Sequence, residues 1–309
     1  MGKDSIGVKN MIKRVVKWIK VPLLFWRKLI AVEQKVEGID FLLRASLDIT
    51  KMSPARGHLR LLQLANAVFL RKVTTILERH EIPYWINFGT LLGAVRHGGF
   101  IPWDDDLDIS ILRDDRERML EILAREFRAD GLVKVIPSDC VRIRLLGTPC
   151  QIDVFASDPV SFTSDDAGGL DRLKQEFGRL QSALKVDFGR LKRDEGPILN
   201  RTDAEIQRLG HDFAKRWSTK GQKYILDGFE GLGKLKIWHW DWIFPIRKIS
   251  FEGVEFCAPH DPEAMLSAIY GDYMTFPKGA PPHSDILSKL DDKALVKMSQ
   301  LVAGDSNFC

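Results

Sequence analysis

Cysteine is scarce in this 309-residue chain, and Cys140, Cys150, Cys257 and Cys309 form no C-x-x-C pair and no clustered His/Cys spacing. That excludes the usual structural zinc site and makes a reduced, cytoplasmic compartment the expected setting. No stretch reads as a transmembrane segment, which needs roughly 20 apolar residues, and no signal-peptide core with a cleavage site is found. Internal repeats and low-complexity tracts are also missing. The net charge of +4 is modest, so neither non-specific nucleic-acid binding nor a nucleic-acid partner is suggested. What is present is ordinary globular material: 45% hydrophobic and 28% charged residues, enough to bury a sizeable core in one large domain or two small ones.

The basic excess is an N-terminal property. Met1 to Lys28 carries eight Lys or Arg against one acid, Asp4. Val8, Met11, Ile12, Val15, Val16 and Ile19 fall on one helical face, with Lys9, Lys13, Arg14, Lys17 and Lys20 opposite. The pattern predicts a basic amphipathic helix that either lies in an anionic membrane interface or packs on the domain. On the first alternative, residues 8–28 place the protein peripherally on the inner face of the cell membrane.

Leu62, Ala65, Phe69, Val73 and Ile76 recur at helical spacing, predicting a helix over 58–80 that Pro83 stops. Tyr84 to Phe88 reads as a short strand, Gly89 as a tight turn, Thr90 to His97 as helical turns, and Leu107 to Leu112 as a strand. A helix over 114–127 and strands at 133–136, 141–146 and 151–155 follow. Residues 164–233 are polar and helix-prone, Phe244–Ile249 and Val254–Cys257 flank a hairpin turn, and 262–270 gives an amphipathic helix. The expected organisation is an N-terminal segment over 1–52, a catalytic core over 53–163, an accessory helical lobe over 164–243, and a hairpin and helix over 244–309 completing the catalytic domain.

Chemistry concentrates in Ile101-Pro102-Trp103-Asp104-Asp105-Asp106-Leu107-Asp108. Period-two alternation aims Asp104, Asp106 and Asp108 at one face and Asp105 at the other. Crowded carboxylates need a compensating cation, and hard oxygen ligands suit Mg²⁺ or Mn²⁺. Acidic runs are more often solvated loops, but the apolar Trp103, Leu107 and Ile109 around this one point to a partly buried site. Asp153 is a lone acid in an apolar strand, expensive unless paired or ligated, and is the candidate third carboxylate. Gly89 and Thr90 at a helix start offer N–H groups and a hydroxyl to an anion. Arg96 and His97 could clamp phosphate oxygens or simply complement a helix C-terminus. Arg142 and Arg144 either line the same cleft or face solvent.

Tyr84 to Ile111, YWINFGTLLGAVRHGGFIPWDDDLDISI, resembles the LicD family, which includes bacterial phosphocholine transferases and, more distantly, fukutin and fukutin-related polyol-phosphate transferases. The likeness continues in Gln151-Ile152-Asp153-Val154-Phe155, in FPIRKISFEGVEF and in AIYGDYM, and is weakest in the helical lobe. The resemblance implies an α+β, nucleotidyltransferase-like fold: a small mixed sheet with flanking helices, here joined by the accessory lobe and basic N-terminal helix. It implies Asp106 and Asp108 as the metal pair, Asp153 as third carboxylate and general base, and Asp104 as an additional or supporting ligand. Gly89, Thr90, Arg96, His97, Trp103 and Arg144 then line the donor site. The implied reaction is Mg²⁺-dependent transfer of a phospho-alcohol from a CDP-activated donor to a sugar hydroxyl of a glycan or glycolipid, releasing CMP. Such chemistry belongs to lipopolysaccharide or capsule modification. Two features depart from the family pattern: paired C-terminal histidines are reduced to His283, and the zinc-binding cysteines of the fukutin-related branch are missing.

Other readings remain open from residues alone. A D-x-D also serves metal-dependent glycosyltransferases, but these need alternating strands and helices upstream, where only helices and one strand are read. Transfer of the nucleotide itself is a second enzymatic alternative, and a membrane-surface interaction protein the non-enzymatic one. The transferred alcohol is not legible. Choline would want an aromatic cage, for which Trp103, Trp238, Trp240 and Trp242 are candidates, the last three equally suited to a core.

Overall fold

The computed structural model describes residues 46–128, 131–136, 140–162, 168–183, 203–217, 223–228, 235–277 and 290–305, with scattered positions between 25 and 42. The basic helix read over 8–19 and His283 lie outside the described residues. Two compact units result, one of residues 1–49 and 275–278, the other of 50–274 and 279–309. In the first, the described residues from 25 to 46 are helical. The second carries the sheet. No helix among the described residues is long and apolar enough to cross a membrane.

Helix α1, Gly57–Arg79, forms where the apolar spacing predicts it and buries Leu62, Ala65, Phe69, Val73 and Ile76. Glu81, with a φ of 52°, turns the chain into β1, Tyr84–Ile86. The strand then ends two residues earlier than its sequence suggests. The Asn87 side chain accepts the Phe88 N–H, so Phe88 opens helix α2, Phe88–His97, rather than closing the strand. Gly98, left-handed at a φ of 67°, caps α2. Strand β2, Asp108–Leu112, helix α3, Arg116–Glu126, and strands β3, Val133–Ile136, and β4, Val141–Leu145, follow.

Strand β5, Gln151–Val160, is longer than its apolar run because two partners use it in succession. Its first part lies between β2, parallel, and β4, antiparallel. Its last three residues pair with β6, Tyr224–Asp227. Helices α4, Gly169–Ala183, and α5, Asp203–Trp217, precede β6, which pairs with β7, Lys236–His239. The sheet order is β1-β2-β5-β4-β3, with β6 and β7 continuing from β5. The protein is therefore an α+β fold with a mixed, seven-stranded sheet among the described residues and flanking helices.

A short helix α6, Trp240–Ile243, leads to the hairpin of β8, Arg247–Phe251, and β9, Val254–Ala258. Helix α7, Pro262–Tyr270, and helix α8, Asp292–Ala303, complete the unit. The main core gathers α1, β1, α2, β2 and β5 around Trp85, Leu91, Ile109 and Val154. A second cluster joins Leu173 and Phe177 of α4 to Phe213 of α5, Val160 and Leu226. At the hairpin tip Glu252 receives two bonds from Arg60, at 2.9 and 2.6 Å, and one from the Phe100 N–H at 3.0 Å. The chain entering the acidic segment is thereby fastened to α1 and to the hairpin.

Candidate active site

Buried amides hold the acidic segment in place. Gln63 Nε2 donates to the carbonyls of Ile101 and Asp104, at 3.2 and 2.8 Å, and Asn66 Nδ2 donates to that of Asp105 at 2.8 Å. Asn66 Oδ1 in turn accepts the Gln151 N–H at 3.2 Å, tying the loop to the start of β5. Both amides are fully buried on the otherwise apolar stripe of α1. A polar residue on such a stripe must find partners, a signal that apolar spacing alone passes over.

The strand expectation for the acids needs correcting. Only Asp108 belongs to β2, while residues 104–107 form a loop, so period-two alternation does not apply to them. Asp105 does not face away. It is buried, and ligand oxygens of Asp104, Asp105 and Asp106 lie within 4.8 Å of one another.

Asp108 and Asp153 are register partners across the parallel β2–β5 pair. The Asp153 N–H donates to the Leu107 carbonyl at 2.8 Å, and the Asp108 N–H to the Thr90 hydroxyl at 2.8 Å. The backbone of Gly89 pulls the pKa of the Asp108 carboxyl downward, against its burial. A Cβ on Gly89 would stand 2.9 Å from Asp104 Oδ2 and 3.9 Å from Asp108 Oδ2, so the first turn of α2 is in close contact with both acids. Here a helix N-terminus meets carboxylates of the chain itself, as its dipole favours.

The electrostatics follow from crowding. Burial, with the charges of Asp106 and Asp105 added, raises the Asp104 carboxyl to about 8. Burial and the charges of Asp106, Asp153 and Asp104 hold Asp108 well above the usual carboxylate range. Asp153 is pushed up to about 6 by burial, against the opposing pull of Arg142 and Gln151. Arg142 Nε lies 3.8 Å from Asp153 Oδ1, Gln151 Nε2 donates to the same oxygen at 2.7 Å, and Arg144 Nε donates to Gln151 Oε1 at 2.7 Å. Converging, partly desolvated carboxylates are a donor set that fits a hard divalent ion.

The other sequence candidates are distributed around this centre. Arg96 is buried, donates to the Tyr273 carbonyl at 2.7 Å, and has its pKa lowered by burial against the pull of Tyr270 and Asp104. His97 Nδ1 lies 3.5 Å from Arg96 Nε. Trp103 is half-buried against the main core. Trp238 is buried with its indole donating to Asp227 at 2.9 Å, Trp240 stacks on Phe244, and Trp242 packs on His239. Tyr270 lies in the AIYGDYM segment but is not singled out from it, and its hydroxyl is held above its ordinary value by burial and by the charges of Asp108, Asp104 and Asp106. Only the tertiary fold brings the end of α7 to the acids.

The chain is similar to several known proteins. Residues 81–144 match a family model described as LicD/FKTN/FKRP, nucleotidyltransferase domain. The chain is 27% identical over 228 residues to the lipopolysaccharide cholinephosphotransferase LicD of Haemophilus influenzae, covering 65% of this chain and 86% of that protein. It is 49% identical over 45 residues to the human ribitol 5-phosphate transferase FKRP, which is 15% of this chain and 9% of that protein. Among solved structures, the lincomycin-bound lincosamide antibiotic adenylyltransferase LnuA aligns with a TM-score of 0.31 and 11% identity, over 75% of this chain and 93% of that one.

Proposed function

We propose that this chain, which resembles LicD-type transferases over the LicD/FKTN/FKRP nucleotidyltransferase domain and beyond it, transfers a phospho-alcohol from a CDP-activated donor to a hydroxyl of a cell-surface glycan, releasing CMP. The convergence of Asp104, Asp106, Asp108 and Asp153 carries the reading. Phosphoryl transfer needs little covalent help from protein, but it does need positioning and charge compensation. A hard divalent ion, Mg²⁺ or Mn²⁺, held by these carboxylates would supply charge neutralisation on the donor diphosphate.

The chain's own residues supply the rest. Asp153, raised to about 6, is ionised at neutral pH yet basic enough to take the acceptor hydroxyl proton on its carboxylate. The acceptor oxygen then bonds to the alcohol-bearing phosphorus as the bond to the CMP oxygen breaks. Gln151, itself held by Arg144, and Arg142 hold Asp153 in place, and the two arginines add positive charge beside it. The first turn of α2, with Gly89 and Thr90, fixes Asp108 from the opposite side. Arg96, His97 and Trp103 border the donor. The basic segment over 8–28 would dock the enzyme on the anionic inner face of the membrane, near lipid-linked acceptors.

Incubating the purified full chain with Mg²⁺ and a panel of CDP-alcohols tests the reading. Slow CMP release that is abolished by chelation and accelerated by the correct glycan is expected. A nucleotidylated acceptor, or no CMP from any donor, would overturn it. Unchanged membrane fractionation after deletion of residues 1–28 would refute the docking.

A further inference from the structure

Lys236 of β7 reaches the aromatic pair that borders the acids. Its Nζ stands 3.6 Å from the ring centroid of Phe88. Phe88 meets Phe155 edge to face, with centroids 4.9 Å apart and planes at 81°. Both rings neighbour the site. Phe88 immediately precedes Gly89, whose backbone pulls the pKa of the Asp108 carboxyl downward. Phe155 follows Asp153 by two positions in β5, so both side chains leave the same face of the strand.

An ammonium on an aromatic face is the contact by which quaternary ammonium ligands are recognised. Here that face is already covered by a cation of the chain itself. Lys236 is half-buried and is steadied by Asp227, its cross-strand partner, whose carboxylate feels its charge. Arg142, close to Asp153, adds further positive charge nearby. The tryptophans of the connector do not offer a substitute cage, since Trp238, Trp240 and Trp242 are engaged with Asp227, Phe244 and His239. A donor with a fixed positive charge therefore meets repulsion at the Phe88 face, whereas an alcohol bearing hydroxyls meets the N–H donors of a lysine.

We propose that Lys236, poised over the Phe88–Phe155 pair, is a specificity residue that turns the site away from quaternary ammonium alcohols and toward uncharged polyols. The proposal rests on the phospho-alcohol reading and narrows its substrate class. Equilibrium binding of CDP-choline and CDP-glycerol to the full chain, with Ca²⁺ replacing Mg²⁺ to hold turnover, tests it. Wild type should prefer CDP-glycerol. Lys236→Met should tighten CDP-choline by about tenfold, the scale expected when an aromatic face opens to the donor's cation and a like charge is removed, and should leave CDP-glycerol within a few-fold. Lys236→Arg should keep the wild-type preference. Equal weakening of both donors would mean that Lys236 touches the shared diphosphate, and would overturn the proposal. So would an unchanged ratio, or no binding of either donor to any variant. Parallel CMP-release assays keep the two readings apart: a Lys236-dependent binding preference without CMP release sinks the reaction and leaves the selectivity standing.

Discussion

Asp108 and Asp153 sit opposite each other on adjacent parallel strands, 45 residues apart in sequence and paired in register. The Leu107 carbonyl accepts the Asp153 N–H at 2.8 Å. Both residues are half-buried; the Asp153 charge helps to hold the Asp108 carboxyl above the usual range, and Arg142 stands 3.8 Å from Asp153 on the other side.

Neutralising either acid should therefore separate function from stability. Asp108→Asn and Asp153→Asn are expected to lose at least about a hundredfold in turnover, the range for removing a catalytic group. Their thermal midpoints without metal should equal or exceed wild type, because a like-charge repulsion disappears. Differential scanning fluorimetry in EDTA, alongside CMP release, checks both. Retained turnover in Asp108→Asn would remove that residue from the site.

The metal-free protein should also show an unusual pH profile. Burial and crowding push Asp104 up to about 8, and burial pushes Asp153 up to about 6, both above the ordinary carboxylate value. Groups with raised folded-state pKa stabilise the fold fully below the unfolded value and lose that contribution as pH rises through the folded one. In EDTA, the melting temperature should fall between about pH 5 and pH 8. Saturating Mg²⁺ should flatten this decline, and its binding should release protons in that window, measurable by calorimetry in buffers of different ionisation enthalpy. A flat profile in EDTA would show that the acids are not coupled as described.

Thr90 tests how the first turn of α2 supports β2. Its hydroxyl accepts the Asp108 N–H at 2.8 Å. Thr90→Val keeps the shape but leaves that N–H without its acceptor, costing about 1–3 kcal/mol and weakening metal binding through Asp108. Thr90→Ser should retain both properties. Urea denaturation and metal titration of the two variants make the comparison.

Gly93 is a matter of space alone. A Cβ there would overlap the Gly99 carbonyl oxygen and stand 3.2 Å from the Ile101 nitrogen, both backbone atoms. Gly93→Ala should force α2 away from the chain that leads into the acids, lowering stability by about 1–3 kcal/mol. Activity should fall beyond what the unfolded fraction explains. An unperturbed melting temperature would refute this packing.

Elements with strong periodicity and punctuation were legible in the residues alone. Helix α1, strands β3 and β4, the hairpin of β8 and β9, and helix α7 follow from apolar spacing, Pro83 and the turn at Glu252-Gly253. The sequence also marked the acidic segment and Asp153, because carboxylates amid apolar residues are conspicuous wherever the chain takes them. Tertiary structure alone decided the rest. The loop at 104–107 is shaped by Gln63 and Asn66, some forty residues upstream, so Asp105 turns inward where local alternation sends it out. Strands β6 and β7 are four residues each, too short to announce themselves, and form because the far end of β5 offers β6 an edge and β6 in turn offers one to β7. Tyr270 comes to the acids, and Lys236 to the Phe88 ring, from distant elements. Periodicity reports which face of an element is buried; it carries no information about which element will lie across that face, and both residues owe their place to that second fact.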